Sequence, residues 1–234
     1  MIDSLVIVAF AALIHASFQL SVSMLTLLSG HAIGSKIKHA KLLRLTFSFL
    51  LGSGVMTMLL LTFAAFVFER SFGQNIPPVV WAASAGLLLG LGIAVWAFYY
   101  RREPGTSLWL PRGMARYLSD RTKATKHSSE AFGLGLSSVA GEIIFILAPI
   151  VISALALIQL EPVWQLAGIG IYTIVSSLSL LVVYALIGSG HKLSRIQQWR
   201  ENNKQFLQFT AGSGLLILGF YIYVDRVITV SGGM

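Results

Sequence analysis

Six long apolar stretches fill most of this 234-residue chain. A helix crosses the roughly 30 Å hydrocarbon core of a bilayer with about 20 predominantly apolar residues. Hydrophobic residues make up 56% of the chain and charged residues only 11%, more apolar surface than a water-soluble core of this length can bury. We therefore predict an all-α integral membrane protein, a single transmembrane domain with six transmembrane helices. The predicted spans, numbered one to six, are 4–29, 42–68, 78–100, 131–160, 163–189 and 206–224.

The basic residues are concentrated in three of the connections between spans. The net charge is +8, and most Lys and Arg lie within residues 30–44, 101–130 and 190–204. Such alternation of basic and non-basic connections is the positive-inside pattern. It predicts a multi-pass protein of the plasma membrane with basic loops in the cytoplasm and both termini outside. The cationic loops then face anionic lipid, and we expect no binding to nucleic acid.

The long connection 101–130 divides the chain into a first triplet of spans, 1–100, and a second triplet, 131–234. Because each half holds an odd number of spans, the halves have opposite orientations, which predicts two inverted three-helix repeats (3+3) of the kind found in many secondary transporters. Spans three and six are both rich in small residues, in Ala83–Gly92 and Ala211–Gly219. Small residues also let any two membrane helices approach closely, so this likeness has a second explanation in packing alone.

Span four contains one carboxylate, Glu142, and no other charge between residues 131 and 160. An acidic side chain at the centre of a membrane helix costs about 2.5 kcal/mol or more on insertion scales. Such a group usually faces a polar cavity or a partner, so Glu142 marks the predicted functional site. The alternative is a buried structural pair, with His15 as the partner.

Polar side chains on one face of span one predict the other side of that site. His15, Gln19 and Ser23 fall within a narrow arc when residues advance by about 100° each along a helix. A lipid-facing stripe of this kind would leave its polar groups without hydrogen bonds, so it must face other helices or water. The alternative is that these side chains only join helices to one another.

Two further spans contribute candidates. Ser138 lies on the same face of span four as Glu142, and Tyr172 belongs to a polar face of span five. Pro149 removes a backbone donor and obstructs the carbonyl one turn earlier, which predicts a kink near Phe145. The predicted site is therefore Glu142, His15, Gln19, Ser138, Tyr172 and Ser23, with Pro149 as the hinge. If Glu142 and His15 meet, they can exchange a proton.

The chain resembles the lysine-exporter superfamily of small transporters. The residues that carry the likeness are Ala83–Gly92, Ser213–Gly219 and the start of span four, Phe132–Leu136. The resemblance implies six spans in two inverted triplets and export of a small solute. Reductant-carrying members need a cysteine in spans one and four, and this chain has no cysteine. Metal-exporting members present two acidic residues, whereas span one here offers His15 or Gln19 opposite Glu142.

The leading functional prediction is a small secondary transporter that exports an amino acid, an amine or a monovalent cation by alternating access. A rival prediction is a non-catalytic membrane subunit that docks a cytoplasmic partner through its basic loops, with residues 107–126 as the contact. Enzymatic chemistry usually needs a nucleophile with a base, two carboxylates or a metal cluster, and one Glu with one His is a thin basis for it. We expect no enzyme activity, no cofactor and no resident metal.

Overall fold

The computed structural model describes residues 1–19, 39–99, 125, 127–191 and 193–229. Ser23 lies outside these ranges, and so does nearly all of the predicted partner contact 107–126. Within the described ranges the chain is helical and contains no strand. The helices are α1 (Ile2–Gln19), α2 (His39–Phe72), α3 (Pro78–Ala94), α4 (Ser128–Gly141), α5 (Ile143–Leu157), α6 (Pro162–Ser176), α7 (Leu178–Gly188), α8 (Leu193–Asn202) and α9 (Lys204–Ile222), with π-helical stretches π1 (Val95–Tyr99) after α3 and π2 (Tyr223–Ile228) after α9.

The long helices have the length and composition of a multi-pass membrane protein. Within the described residues four helical segments are long and apolar enough to cross a bilayer, namely α1, α2, α3 with the start of π1, and the segment from Gln205 to Ile228. The bent pairs α4–α5 and α6–α7 also pass this test when each pair is taken as one span, which brings the number to six. The all-helical prediction is therefore confirmed, and these segments are compatible with a multi-pass membrane protein. Each predicted span overlaps one of them, with residues 20–29 of the first span outside the described residues.

Proline and glutamate side chains mark three of the helix beginnings. Pro78 and Pro162 lie in the first turns of α3 and α6, where the missing N–H removes no helical hydrogen bond. At the beginning of α4 the backbone N–H of His127 donates to the carboxylate of Glu130 over 3.2 Å. This bond satisfies a donor that the helix itself leaves without a partner.

The helix of span four is broken at Glu142. The axes of α4 and α5 differ by 81°, and Glu142 between them has φ −93° and ψ −3°. The N–H groups of Phe145 and Ile146 both donate to the carbonyl of Glu142, so α5 begins immediately after it. The prediction of a kink near Phe145 is corrected: the sharp bend lies three residues earlier, and Pro149 lies inside α5. A proline acts on the carbonyl four residues before it, which does not reach Glu142.

A second break, which was not predicted, divides span five. Helices α6 and α7 meet at an angle of 50°, with Ser177 at the junction. Two hydroxyls bond back to the helix just before it: Thr173 donates to the carbonyl of Ile169 over 2.8 Å, and Ser176 donates to that of Thr173 over 3.2 Å. Such bonds compete with the regular backbone ladder and often bend helices.

Helix α1 lies in the interior of the bundle and contacts α5, α6 and α9. Helix α2 packs along α4 and α5, while α3 packs on α9 and also contacts α5. Contacts between α3 and α9 run in opposite directions along the two helices. The Trp81 ring lies under the guanidinium of Arg226, and the Trp96 ring stacks on Phe209. Spans three and six are therefore antiparallel neighbours.

Two glycines allow α2 and α4 to cross at close range. A Cβ atom added to Gly52 would overlap the backbone carbonyl of Phe132, and one added to Gly135 would overlap that of Phe49. Backbone cannot yield as a flexible side chain does, so neither position has room for a larger residue. Gly133, on the same helix as Gly135, has open space where its Cβ would be.

The apolar side chains occupy the interior and also cover much of the outer surface. Large exposed side chains include Phe63, Phe66, Leu166 and Phe220. Exposed apolar area on this scale is a liability in water and the normal state of a surface that faces lipid. The distribution agrees with a membrane-embedded bundle.

One helix lies in a connection for which no helix was predicted. Helix α8 occupies the basic connection 190–204, and Ile196 is buried in a small apolar cluster with Phe49, Leu180 and Val183. Trp199 on the same helix is half exposed. An amphipathic helix with an exposed Trp and nearby basic residues has the composition of a helix at a membrane surface.

Candidate functional site

Three side chains from different spans meet at the centre of the bundle. The Nδ1 of His15 lies 3.1 Å from the hydroxyl oxygen of Tyr172, a hydrogen bond whose donor depends on the imidazole tautomer. The Nε2 of the same ring lies 3.8 Å from the Oε2 of Glu142. All three side chains are completely buried. His15 thus connects a phenol and a carboxylate in the buried interior of the bundle.

The helix break brings Glu142 to this place. Its side chain leaves the chain where α4 ends and α5 begins, while His15 lies within α1 one turn before that helix ends in the described residues. One turn beyond His15 the Phe18 ring stacks on Phe145, with centroids 5.0 Å apart and planes 17° apart. This apolar contact lies beside the polar pair and fixes α1 against the beginning of α5.

A hydrogen bond from the other broken span also supports α1. The hydroxyl of Ser179, at the beginning of α7, donates to the backbone carbonyl of Ala16 over 2.6 Å. Ala16 follows His15 directly, so this bond fixes the backbone that carries the imidazole. Tyr172 and Ser179, two turns apart on either side of the break at Ser177, therefore both bond to α1.

Gln19 joins α1 to α2. Its Nε2 donates to the hydroxyl oxygen of Ser53 over 3.2 Å, and both side chains are fully buried. The Oε1 of Gln19 has no hydrogen-bond partner in the part of the chain that the structure describes, and neither has the hydroxyl of Thr57, one turn beyond Ser53. Polar atoms left this way at such depth are uncommon and call for an explanation.

The remaining predicted site residues have different positions. Ser138 is fully buried one turn before Glu142, but its hydroxyl donates to the carbonyl of Gly135 over 2.8 Å in its own helix. Pro149 is buried inside α5, away from the break. Ser23 lies outside the described residues. Among those residues no group of three or more His, Cys, Asp or Glu side chains is arranged to hold a metal ion.

Sequence reasoning identified the central cluster but ranked some of its neighbours too low. Ser53, Thr57 and Ser179 are not among the predicted site residues. A small hydroxyl that seals a helix contact and one that lines a site look alike in a sequence. The useful signal was the one-turn spacing of Ser53 and Thr57 in a segment of span two that also contains glycines.

No protein-family model, curated protein or solved structure matches this chain. Inference about its function therefore depends on the chemistry of the buried cluster. A carboxylate and an imidazole separated by 3.8 Å can hold one proton between them or admit a small cation or an amine beside the carboxylate. The Tyr172 hydroxyl can donate to the imidazole or accept from it.

Proposed function

We propose that this protein is a small secondary transporter of the plasma membrane, most simply an exporter, that moves a small solute by alternating access. Glu142 binds the cationic or amine group of the solute, or a coupling proton. His15 and Tyr172 complete the site, and Gln19, Ser138 and Ser23 contribute polar groups around it. The role assigned to the cluster is binding rather than catalysis.

The observation that carries the proposal is a fully buried carboxylate at a sharp break in a membrane helix. An intramembrane acidic residue is expensive and usually marks a substrate, ion or proton pathway. Discontinuous helices near the bilayer midplane are the recurrent way in which transporters build such sites, because a break frees backbone groups beside the side chain. Glu142 combines both features in one residue.

An inverted repeat, as in the lysine-exporter superfamily that the sequence resembles, is part of the proposal. Exchanging spans one, two and three with four, five and six leaves most of the pattern of helix contacts unchanged, although the contact of α5 with α6 has no equally extensive counterpart between α1 and α2 in the described residues. The contact of α1 with α6 then corresponds to that of α2 with α4 and α5, and the contact of α1 with α9 to that of α3 with α5. The contacts of span one with four, two with five and three with six map onto themselves.

Local features repeat at the same places in the two halves, which also supports the repeat. Phe18 lies three residues after His15, and Phe145 lies three residues after Glu142. Across the site His15 lies beside Glu142, and Phe18 stacks on Phe145. Spans three and six both end in a π-helical stretch, beginning at Val95 and at Tyr223. The separation of Val95 from His15 differs by only one residue from that of Tyr223 from Glu142.

The charge of the site favours a cationic or zwitterionic solute. Among the described side chains of the central cluster Glu142 is the one carboxylate, and such a site attracts an amine or a monovalent cation and repels an anion. An amino acid is compatible because its carboxylate can be bound by neutral donors such as the Gln19 amide or the Tyr172 hydroxyl. Both termini are proposed to lie outside, as the distribution of basic residues predicts.

A thermal-shift screen of the purified protein tests the proposal. The wild type is measured with amino acids, amines, and mono- and divalent cations, beside Glu142→Gln and the control Glu161→Gln, which changes an exposed carboxylate at the beginning of α6. A ligand that binds only the folded state raises stability by mass action. We expect a ligand that stabilises the wild type and the control but not Glu142→Gln.

The opposite result would show a structural carboxylate. If no solute raises Tm, and Glu142→Gln is as stable as the wild type or more so, the buried cluster serves the fold alone. Transport of the identified solute into proteoliposomes is the second measurement. It should be lost in Glu142→Gln and retained in Glu161→Gln.

A second candidate function is docking of a cytoplasmic partner through the basic connections. The observation that favours it is α8, which lies in such a connection and exposes Trp199 and Arg195. Replacing both by alanine distinguishes the two functions. Transport by the purified protein should survive this change, whereas a docking subunit would lose its activity in cells and keep it when Glu142 is changed to Gln.

A further inference from the structure

A second group of buried polar side chains begins one helical turn beyond His15, at the hydrogen bond that joins Gln19 of α1 to Ser53 of α2. It consists of Gln19, Ser53 and Thr57, all fully buried. Gln19 and Ser53 are joined by the 3.2 Å hydrogen bond, and Thr57 follows Ser53 by one turn on the same face of α2. The three side chains supply an amide oxygen and two hydroxyl oxygens without any formal charge.

Two of these oxygens have no partner among the described residues, the Oε1 of Gln19 and the Oγ1 of Thr57. An amide oxygen and a hydroxyl withdrawn from water without a hydrogen bond destabilise a folded protein. Helix packing does not explain them. The hydroxyl of Thr46, on the same span, donates to the carbonyl of Leu42 in its own helix over 2.9 Å, and Thr57 makes no such bond. Both oxygens therefore keep hydrogen-bonding capacity that the described residues do not use.

We propose that Gln19, Ser53 and Thr57 bind a dehydrated monovalent cation of the size of Na⁺. The proposal rests on the transport function above and assigns it a coupling ion other than the proton. Neutral oxygens can replace the hydration shell of such an ion, as backbone carbonyls of broken helices do in Na⁺-coupled transporters. A divalent cation is a poorer fit, because burying two charges among neutral ligands costs far more than burying one.

The connection with Glu142 follows from the spacing along α1. Gln19 lies one turn after His15, and the imidazole of His15 lies beside the Glu142 carboxylate. A cation at Gln19 therefore lies within the field of that carboxylate, which compensates its charge without direct coordination. The ion and a cationic group at Glu142 then draw on the same negative charge, so binding of the ion disfavours a cationic solute there and in this way biases the solute site.

The experiment is a titration of the purified protein with sodium chloride, with choline chloride replacing it at constant ionic strength and with lithium and potassium chlorides in parallel. The variants are Thr57→Val and Ser53→Ala. The matched control is Thr46→Val, the same change on the same span at a hydroxyl that bonds to its own helix. We expect a saturable rise in Tm of about 3 °C or more with Na⁺ in the wild type and the control.

The rise should disappear in Thr57→Val and Ser53→Ala. Equal Tm in sodium and choline for the wild type would overturn the proposal, and Thr57→Val should then be the more stable protein, because it removes a buried hydroxyl without a partner. A sodium effect that persists in Thr57→Val would also overturn it, since the ion would bind elsewhere. If Ser53→Ala does not fold, Thr57→Val decides alone.

The two proposals fail separately in this design. A solute that stabilises the wild type but not Glu142→Gln, with no preference for sodium over choline, sustains the transporter and excludes the cation site. A sodium effect lost in Thr57→Val, with no solute effect at all, sustains the cation site and removes the support for a solute at Glu142.

Discussion

The Nε2 of His15 lies 3.8 Å from the Oε2 of Glu142, although one residue belongs to the first membrane span and the other to the fourth. This separation exceeds a hydrogen bond and is close enough for strong electrostatic coupling in surroundings without water. The imidazole is also held from its other side, by the Tyr172 hydroxyl at 3.1 Å. A small change in the position of any of the three groups therefore alters the interaction between the other two.

Removal of the Tyr172 hydroxyl tests how far the imidazole depends on it. Tyr172→Phe leaves the Nδ1 of His15 buried without its partner, which costs about 1–3 kcal/mol. In a protein of this size we expect a fall in Tm of roughly 2–4 °C per kcal/mol. Tyr184→Phe is the control, because Tyr184 lies on α7 of the same span and is only partly buried. Equal Tm values for the two variants would contradict a structural role for this bond.

The crossing of α2 and α4 makes a sharp prediction for glycine substitutions. Gly135→Ala and Gly52→Ala each force a Cβ atom into a backbone carbonyl of the facing helix. Overpacking of this kind costs about 1–3 kcal/mol or more, because the two helices must separate. We expect lower Tm and lower yield of folded protein for both variants in detergent.

Gly133→Ala is the matched control for that crossing. It makes the same change two residues away on α4, where a Cβ atom meets nothing within 4 Å. Alanine is favoured over glycine inside a helix by roughly 0.5–1 kcal/mol, so this variant should be as stable as the wild type or slightly more stable. A loss of stability in Gly133→Ala equal to that in Gly135→Ala would show that α2 and α4 do not pack as described.

Cysteine labelling tests the orientation in the membrane. The chain has no cysteine, so single replacements report without background. Ser71 and Ser189 are exposed near the ends of α2 and α7, the first before a connection without basic residues and the second before the basic connection 190–204. With an impermeant maleimide, Ser71→Cys should react in intact cells and Ser189→Cys only after permeabilisation. The reverse pattern would invert the proposed topology.

The helices were predictable because hydrophobicity over about 20 residues is a strong signal, and the bounds of α2 lie within a few residues of those expected. The pairing of His15 with Glu142 was anticipated for a related reason. Titratable groups deep in a bilayer are so costly that two of them are expected to meet. Both conclusions depend on a large energy term, the burial of apolar surface in one case and the cost of a titratable group in a bilayer in the other, and both terms can be inferred from a single sequence.

The breaks were harder to predict because each depends on small competing terms. Near Ser177 the hydroxyls of Thr173 and Ser176 bond back to their own helix, and Ser177 departs from regular helical φ and ψ, so the helix bends. Ser and Thr residues also occur in straight helices, so their presence alone does not predict a bend. In span four the sequence pointed to Pro149 as the cause of a bend. Pro149 lies inside α5, however, and the sharp bend lies at Glu142. Helix α8 was missed because its ten residues carry only a short apolar stripe among charged side chains.

Replacement of Pro149 separates the position of the bend from the position of the proline. Pro149→Ala restores a backbone N–H inside α5 and removes a ring that obstructs the Phe145 carbonyl, a gain of up to about 3 kcal/mol that the loss of buried ring atoms partly offsets. We expect Tm to stay unchanged or rise. The sharp bend lies at Glu142, so stabilisation by the ligand found in the solute screen should persist. Loss of that stabilisation in a normally folded Pro149→Ala protein would make the proline, and not the break at Glu142, the hinge on which binding depends.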